Sequence, residues 1–263
     1  VDVALVLVPV VVRDATGRPV VDLRREEFTV LEDGVPQPLE AFGREERPVS
    51  IMLALDTSLS MRPHELGVKR AALEFVRGQR EGIAFALEVF SDAVLLEQDF
   101  TARRSEVEAA VGAVRAQGEA TALFDAVAAA ARHLGSREGG RVAVVFTDGT
   151  DTVHPQDEAE RRLSEAIGAS VRGDVAVYTV AFGPRAATWV LRRVSDETGG
   201  ETHEARSAEG LASAFASIGE AVGSRYLLGY RPPAGRSSGF RRIDVRVGRP
   251  GLRVTARSGY YAG

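Results

Sequence analysis

Five oxygen-bearing side chains carry the chemistry this sequence can do. Asp56-Thr57-Ser58-Leu59-Ser60 places one carboxylate and two hydroxyls at alternate positions after an apolar run. Thr121, in Gly118-Glu119-Ala120-Thr121, stands where a helical pattern opens. Asp148, in Thr147-Asp148-Gly149, follows a second apolar run. Oxygen donors with no nitrogen or sulfur among them suit a hard cation. Magnesium is preferred, since it holds near-octahedral oxygen geometry and commonly keeps waters and a position open to a partner; calcium favours more carboxylates and a looser cage, and manganese is a further alternative.

The elements that must position these groups are βα units. From Val49 the pattern becomes apolar strands alternating with helical periodicity, which predicts an α/β fold with a doubly wound, mostly parallel sheet. Ser50 to Leu55 is continuously apolar, as a central strand buried on both faces requires. A helix from about Pro63 to Arg77 follows, with Leu66, Ala71, Leu73, Phe75 and Val76 as its apolar positions. Ile83 to Phe90 and Ala93 to Phe100, joined by Ser91-Asp92, read as a hairpin, so one edge strand is antiparallel. Helices over about Arg104–Arg115 and Leu123–Leu134, the strand Val142–Phe146, a charged helix Gln156–Val171, the strand Val175–Ala181 and helices near Ala187–Thr198 and Leu211–Val222 complete the series. Trp189 is read as a helix-packing residue. In such sheets ligands bind beyond the carboxyl ends of the strands. If the central strands are adjacent, all five oxygen-bearing side chains converge there.

Strand patterning also flanks this unit. Val3 to Arg13 is rich in β-branched residues, Asp14-Ala15-Thr16-Gly17 signals a turn before Pro19-Val20-Val21, and Phe28 to Leu31 turns through Glu32-Asp33-Gly34 into a return over Val35 to Phe42. At the other end, Tyr226–Tyr230, Phe240–Val247 and Leu252–Arg257 are strand-like. Nine arginines lie between Arg225 and Arg257 against the single acid Asp244, whereas the N-terminal segment leans acidic, with Glu26, Glu27, Glu32, Asp33, Glu45 and Glu46. Each segment alone is a marginal set of strands, and their charges are complementary. The expected division is therefore 1–48, 49–223 and 224–263, with the two terminal segments paired into one β-subdomain.

Composition narrows the function classes. The 263 residues, 44% of them hydrophobic, can fill a sizeable core, and a net charge of −4 gives no overall pull toward nucleic acid. Absence of cysteine excludes disulfide frameworks, thiolate metal sites and cysteine nucleophiles. His64, His133, His154 and His203 lack the spacing of a metal-ligand pair. No apolar run reaches the ~20 residues a membrane helix needs. The start, Val1-Asp2-Val3-Ala4, without a charged leader or initiator Met, reads as the mature part of a precursor whose signal peptide has been removed.

The set Asp56-x-Ser58-x-Ser60, Thr121 and Asp148-Gly149 resembles, in content and order, the metal-ion-dependent adhesion site of von Willebrand factor type A domains. Asp14-Ala15-Thr16-Gly17-Arg18-Pro19-Val20, Phe28 to Gly34 and the ending Arg257-Ser258-Gly259-Tyr260-Tyr261 are similar to an extracytoplasmic bacterial subgroup, the von Willebrand factor A-related domain proteins. The resemblance implies that Ser58, Ser60 and Thr121 supply hydroxyl ligands, that Asp56 and Asp148 act directly or through waters, and that the metal binds an Asp or Glu carboxylate of a protein partner. It also implies a secreted, periplasmic or cell-surface location. Around the site, Met61, Arg62, His64, Glu119, Thr150 and Asp151 are expected to form the rim that selects the partner, and the flanking β-subdomain to share in recognition.

Other readings compete. A lone Asp-x-Ser-x-Ser would be a helix cap, with Ser58 or Ser60 at the N-cap. Asp56 could be the nucleophile of a phosphoryl-transfer hydrolase similar to the haloacid dehalogenases, but those carry a general-acid carboxylate two positions on, where Ser58 stands. No Gly-x-Ser-x-Gly elbow surrounds any serine, and no Gly-rich turn follows Leu55. Asp151 is a weaker candidate ligand than Asp148, and Asp125 is read as a surface or supporting group. These comparisons favour a non-enzymatic binding module with no nucleic-acid partner.

Overall fold

The computed structural model describes residues 5–184, 186–233 and 238–262. In chain order its strands and α-helices are β1 (Val6–Arg13), β2 (Phe28–Glu32), β3 (Val35–Gln37), β4 (Leu39–Arg44), β5 (Val49–Asp56), α1 (Glu65–Gly78), β6 (Ala84–Phe90), β7 (Val94–Thr101), α2 (Arg104–Ala113), α3 (Leu123–Gly135), β8 (Gly140–Thr147), α4 (Gln156–Arg172), β9 (Val175–Phe182), α5 (Thr188–Thr198), β10 (Thr202–Ala205), α6 (Ala208–Ser224), β11 (Tyr226–Tyr230), β12 (Gly239–Val247), β13 (Arg253–Thr255) and β14 (Gly259–Ala262). The first residues of the predicted Val3–Arg13 strand lie outside the described residues.

β5 to β10 form a six-stranded sheet in the order β10-β9-β8-β5-β6-β7, parallel except for the antiparallel edge β7. The central strands are buried on both faces because their sequences are apolar at nearly every interior position. Ile51, Leu53 and Leu55 of β5 pack with α1, α2 and α6, while Met52 and Ala54 pack with α3, α4 and α5. Two apolar layers therefore enclose the sheet, and β5 and β8 lie side by side at its centre.

Two helix expectations shift. A 3-10 turn over Leu59–His64 takes up Pro63, and α1 starts at Glu65. Its buried stripe is Val68, Ala71, Ala72, Phe75 and Val76, spaced by three and four. Leu66 stands nine residues before Phe75, about two and a half turns, which puts it on the solvent side, 82% exposed. Trp189 does not pack as expected either: it is 67% exposed, opposite the Leu191, Val194, Ser195 and Thr198 stripe that α5 buries.

The terminal segments interleave into two four-stranded antiparallel sheets, β13-β1-β11-β4 and β14-β12-β2-β3. Val8, Val10, Val30, Leu228, Tyr230, Ile243 and Val245 share one apolar cluster between them. The return expected over Val35 to Phe42 is divided, since β3 pairs with β2 and β4 pairs with β11. Pro38 stands at the break; it has no N–H to donate and ends one ladder before the next begins. Pro19-Val20-Val21 adds only an isolated bridge from Pro19 to Arg13.

Charge complementarity between the terminal segments takes a specific form. Glu32 is buried, receives Arg241 Nη1 at 3.1 Å, and accepts hydrogen bonds from the hydroxyls of Tyr230 at 2.7 Å and Tyr260 at 3.0 Å. Burial together with the Glu32 charge pushes the Tyr260 phenol up to about 12. This β unit meets the α/β unit at the amino ends of the parallel strands, where Arg257 pairs with Asp174 at 2.7 Å and Gly140 N donates to Pro48 O at 2.8 Å.

Candidate metal centre

β5 and β8 end side by side, so Asp56 at the end of one and Thr147-Asp148 at the end of the other meet. Thr147 Oγ1 donates to Asp56 Oδ2 at 2.6 Å, and Ser58 N donates to Asp56 Oδ1 at 2.9 Å. Both Asp56 oxygens are thereby fixed from within the protein. The 3-10 turn that follows brings Ser60 back toward the strand end: Ser58 Oγ and Ser60 Oγ lie 3.0 Å apart, and Ser60 Oγ donates to Asp148 Oδ1 at 2.8 Å. Ser58 stands at the N-cap of that turn but makes no capping hydrogen bond with its side chain, so its hydroxyl belongs to this cluster rather than to a cap.

Thr121 arrives from a different loop. Gly118, at φ +84°, fits a space where a Cβ would fall 2.5 Å from Ser91 Oγ, and Asp92 Oδ1 accepts from the backbone N–H groups of Glu119 and Ala120 at 3.0 and 2.7 Å. A left-handed, crowded position of this kind requires glycine. The clamp continues as Ala122 N donates to Ser91 O at 2.7 Å and Leu59 N donates to Gly118 O at 3.0 Å. Thr121 is also tied to the loop after β8, donating its N–H to Thr152 Oγ1 at 2.8 Å and accepting from Thr152 N at 3.0 Å. Its hydroxyl faces Gly149, where a Cβ would lie 3.7 Å away. All five predicted groups thus gather at the carboxyl edge of β5 and β8.

The electrostatics of this edge suit a cation. Asp56, Ser58, Thr121 and Asp148 are buried. Burial raises the Asp56 carboxyl above its ordinary range, and the Asp148 charge adds in the same direction against the lowering hydrogen bonds from Ser58 and Thr147. Two acids with neutral hydroxyls between them in a poorly solvated pocket are most stable as a pair of carboxylates when a dication sits among them. The donor set therefore fits a hard divalent ion. Among the described residues no three His, Cys, Asp or Glu side chains form a metal group, and the candidate here draws three of its five donors from hydroxyls.

The expected rim divides. Arg62, His64, Glu119 and Thr150 are exposed around the edge, and the His64 ring packs on Phe182 with centroids 4.6 Å apart. Met61 is not on the rim: it is buried in the core beneath the turn. Asp151 is turned inward, accepting from Phe124 N at 3.0 Å and from His154 N at 3.0 Å and pairing with His154 Nδ1 at 2.9 Å. His154 in turn meets Asp125 at 3.4 Å. Asp151 holds the start of α3, and with it Thr121, because free N–H groups at a helix start favour a carboxylate. The β unit contacts the opposite, amino edge of the sheet at Asp174 and Pro48, so it stands away from the rim.

Sequence reasoning missed Thr147, the Ser91-Asp92 clamp and the Asp151–His154–Asp125 chain. A hydroxyl closing an otherwise apolar strand was the available signal for Thr147. The other two depend on contacts between loops far apart in sequence, which spacing does not reveal.

Comparison with known proteins agrees with this fold. The crystal structure of an aerotolerance-related membrane protein from Bacteroides fragilis is similar at 20% identity and a TM-score of 0.56, covering 66% of this chain and 98% of that one. A von Willebrand factor type A protein from Catenulispora acidiphila covers 98% of this chain and 74% of its own at 14% identity and a TM-score of 0.59. Proximal thread matrix protein 1 of the mussel byssus, solved with a zinc-occupied MIDAS motif, matches at 18% identity and a TM-score of 0.55 over 70% of this chain and 47% of that one. At these identities the likeness concerns the fold alone. Among curated proteins there is no significant match. The von Willebrand factor type A domain family matches residues 50–216, more than half of the chain. This chain therefore belongs to the von Willebrand factor type A family.

Proposed function

We propose that this chain is a metal-dependent protein-binding module, in which Asp56, Ser58, Ser60, Thr121 and Asp148 hold a magnesium ion that takes an Asp or Glu carboxylate of a partner. The observation that carries the reading is the hydrogen-bonded run Ser58–Ser60–Asp148 beside the Thr147–Asp56 bond, at the carboxyl edge of adjacent strands. The zinc-occupied MIDAS of the mussel protein supports it for the family. The dication, when bound, supplies an incompletely neutralised charge that attracts a carboxylate. The residues of this chain do the rest. Thr147 and Ser58 N hold Asp56, Asp151 and the Ser91-Asp92 clamp hold the Thr121 loop, and Arg62 beside the site adds positive charge toward an acidic partner.

Exposed Leu59, Val153 and Trp189 sit on the segments that follow β5, β8 and β9, and offer apolar contact next to the metal. The partner favoured by this edge presents a carboxylate flanked by apolar side chains. The unit 49–223 carries the binding, and 1–48 with 224–263 forms a structural base. The Bacteroides membrane protein supports an extracytoplasmic setting, and among the described residues no helix is long and apolar enough to cross a membrane. A hydrolase using Asp56 is disfavoured because Ser58, not an acid, lies two residues on and bonds to Ser60.

Magnesium titration tests the reading. The wild type should melt at higher temperature as magnesium is added, and Asp56→Ala and Thr121→Ala should not. A wild-type melting temperature indifferent to magnesium, calcium and manganese at millimolar levels would overturn it. Phosphate-ester turnover should be absent, and turnover lost in Asp56→Ala would favour the hydrolase instead. Pull-downs from cell envelopes with and without chelator then identify the partner.

A further inference from the structure

At the sheet edge opposite the proposed metal centre lies a small, partly open cavity between the α/β unit and the β unit, of about 10 Å³, room for one water-sized sphere. Four arginines line it, Arg47, Arg141, Arg225 and Arg257, together with Asp174. Arg47 is neutralised by a two-pronged bond to Glu45 at 2.7 and 2.8 Å, and Arg257 by Asp174 at 2.7 Å. The other two have no acid within salt-bridge distance among the described residues, and the acid whose charge Arg225 feels, Glu45, is already bound by Arg47. Arg141 donates only to backbone carbonyls, those of Arg137 and of Gly173 at 2.7 Å. Arg225 is 2% exposed, and its Nε and Nη2 have no hydrogen-bond partner; Arg257 Nε is likewise unpartnered.

An arginine stays charged at any physiological pH, and a buried charge without a counter-ion or acceptor is strongly unfavourable. Here four guanidinium groups share two acids, Glu45 and Asp174, and three guanidinium nitrogens lack acceptors. Water could accept from them but would leave the charge uncompensated. A monoatomic anion satisfies both needs at once, and an oxyanion such as phosphate exceeds the space. We infer that this cavity binds a halide ion, chloride in its native setting, held by Arg225 and Arg257 between the two units. Arg225 lies between α6 and β11 and Arg257 between β13 and β14, so the ion would pin the C-terminal strands to the amino ends of β8 and β9, where Gly140 and Ala176 complete the cavity wall. Gly140 belongs there because a Cβ would stand 2.9 Å from Arg225 Nη2.

Thermal melting in chloride or bromide against gluconate, at equal ionic strength and with chelator present so that the metal centre is silent, reads this site. The wild type should melt higher in halide, with a saturating dependence, and Arg225→Gln should need about tenfold more halide or more for the same shift, through loss of charge-assisted hydrogen bonds. Equal melting in halide and gluconate would overturn the assignment. Should Arg225→Gln not fold, crystals of the wild type grown in bromide decide the matter. Anomalous density between Arg225 and Arg257 supports the site, and a peak without anomalous signal identifies water and overturns it.

Discussion

Thr147 Oγ1 and Asp56 Oδ2 are joined by a 2.6 Å hydrogen bond that ties the ends of two adjacent parallel strands across the floor of the proposed metal centre. The bond orients a carboxylate without consuming its charge. It also receives support of its own, since Gly149 N donates to Thr147 Oγ1 at 3.1 Å.

Thr147→Val keeps the shape of the side chain and deletes that bond. Groups that orient metal ligands are worth about 10- to 100-fold in affinity. Magnesium affinity measured by calorimetry should therefore fall by about tenfold or more, with the metal-free fold retained. Unchanged affinity would assign Thr147 to packing alone.

Gly118→Ala should weaken the site from a distance. The new Cβ would enter the space of Ser91 Oγ at a backbone angle that L residues rarely adopt, so the Glu119–Thr121 loop must shift. The expected outcome is about 1–3 kcal/mol of lost stability and weaker magnesium binding, read by urea unfolding and by calorimetry on the same protein.

Glu88 on β6 gives a pH dependence unconnected with the metal. Its carboxyl is fully buried, neither oxygen has a hydrogen-bond partner, and burial pushes it up to about 8 against an ordinary value of 4.5, with Arg132 pulling weakly the other way. His133 Nδ1 stands 3.9 Å off on the same helix. Between those two values the unfolded chain releases the proton while the folded chain keeps it, so stability falls as pH rises from 4.5 toward 8. Glu88→Gln should remove that slope and stabilise the protein at pH 8 by roughly a few kcal/mol. Urea unfolding at pH 5 and 8 measures both effects, and equal slopes in the two proteins would contradict the assignment.

Glu32→Ala removes the acid that neutralises buried Arg241 and receives two tyrosine hydroxyls. Breaking a buried pair from one side costs about 3–5 kcal/mol. A fall of that size in unfolding free energy is expected with magnesium affinity unchanged, because the pair lies in the β unit.

Much of this was legible in the sequence. The central strands announce themselves by long apolar runs, and the gathering of Asp56, Ser58, Ser60, Thr121 and Asp148 at one sheet edge follows from their positions at strand and helix junctions. Met61 and Asp151 were misplaced because a neighbour in sequence need not face the same way: the 3-10 turn sends Met61 into the core, and Asp151 is drawn inward by the N–H groups of Phe124 at the start of α3 and of His154. Leu66 and Trp189 show the same limit on helices, where one residue of offset decides between core and solvent. Glu88 gave no sign at all, since an acid among Ala84-Phe85-Ala86-Leu87 and Val89-Phe90 reads as an ordinary outward position on an edge-facing strand.

The interleaving of the terminal strands orders events in time. β1 pairs with β11 and β13, and β4 with β11, so these two strands find their partners only after the whole six-stranded sheet between them has been synthesised. The residues of the six-stranded sheet are contiguous and can close first, carrying the proposed metal centre with them. Until Arg225 and the strands beyond it emerge, β1 and β4 are unpaired edges, open to the wrong partners. Late closure gives the strands from β11 onward the task of covering edges that the earlier part of the chain leaves open.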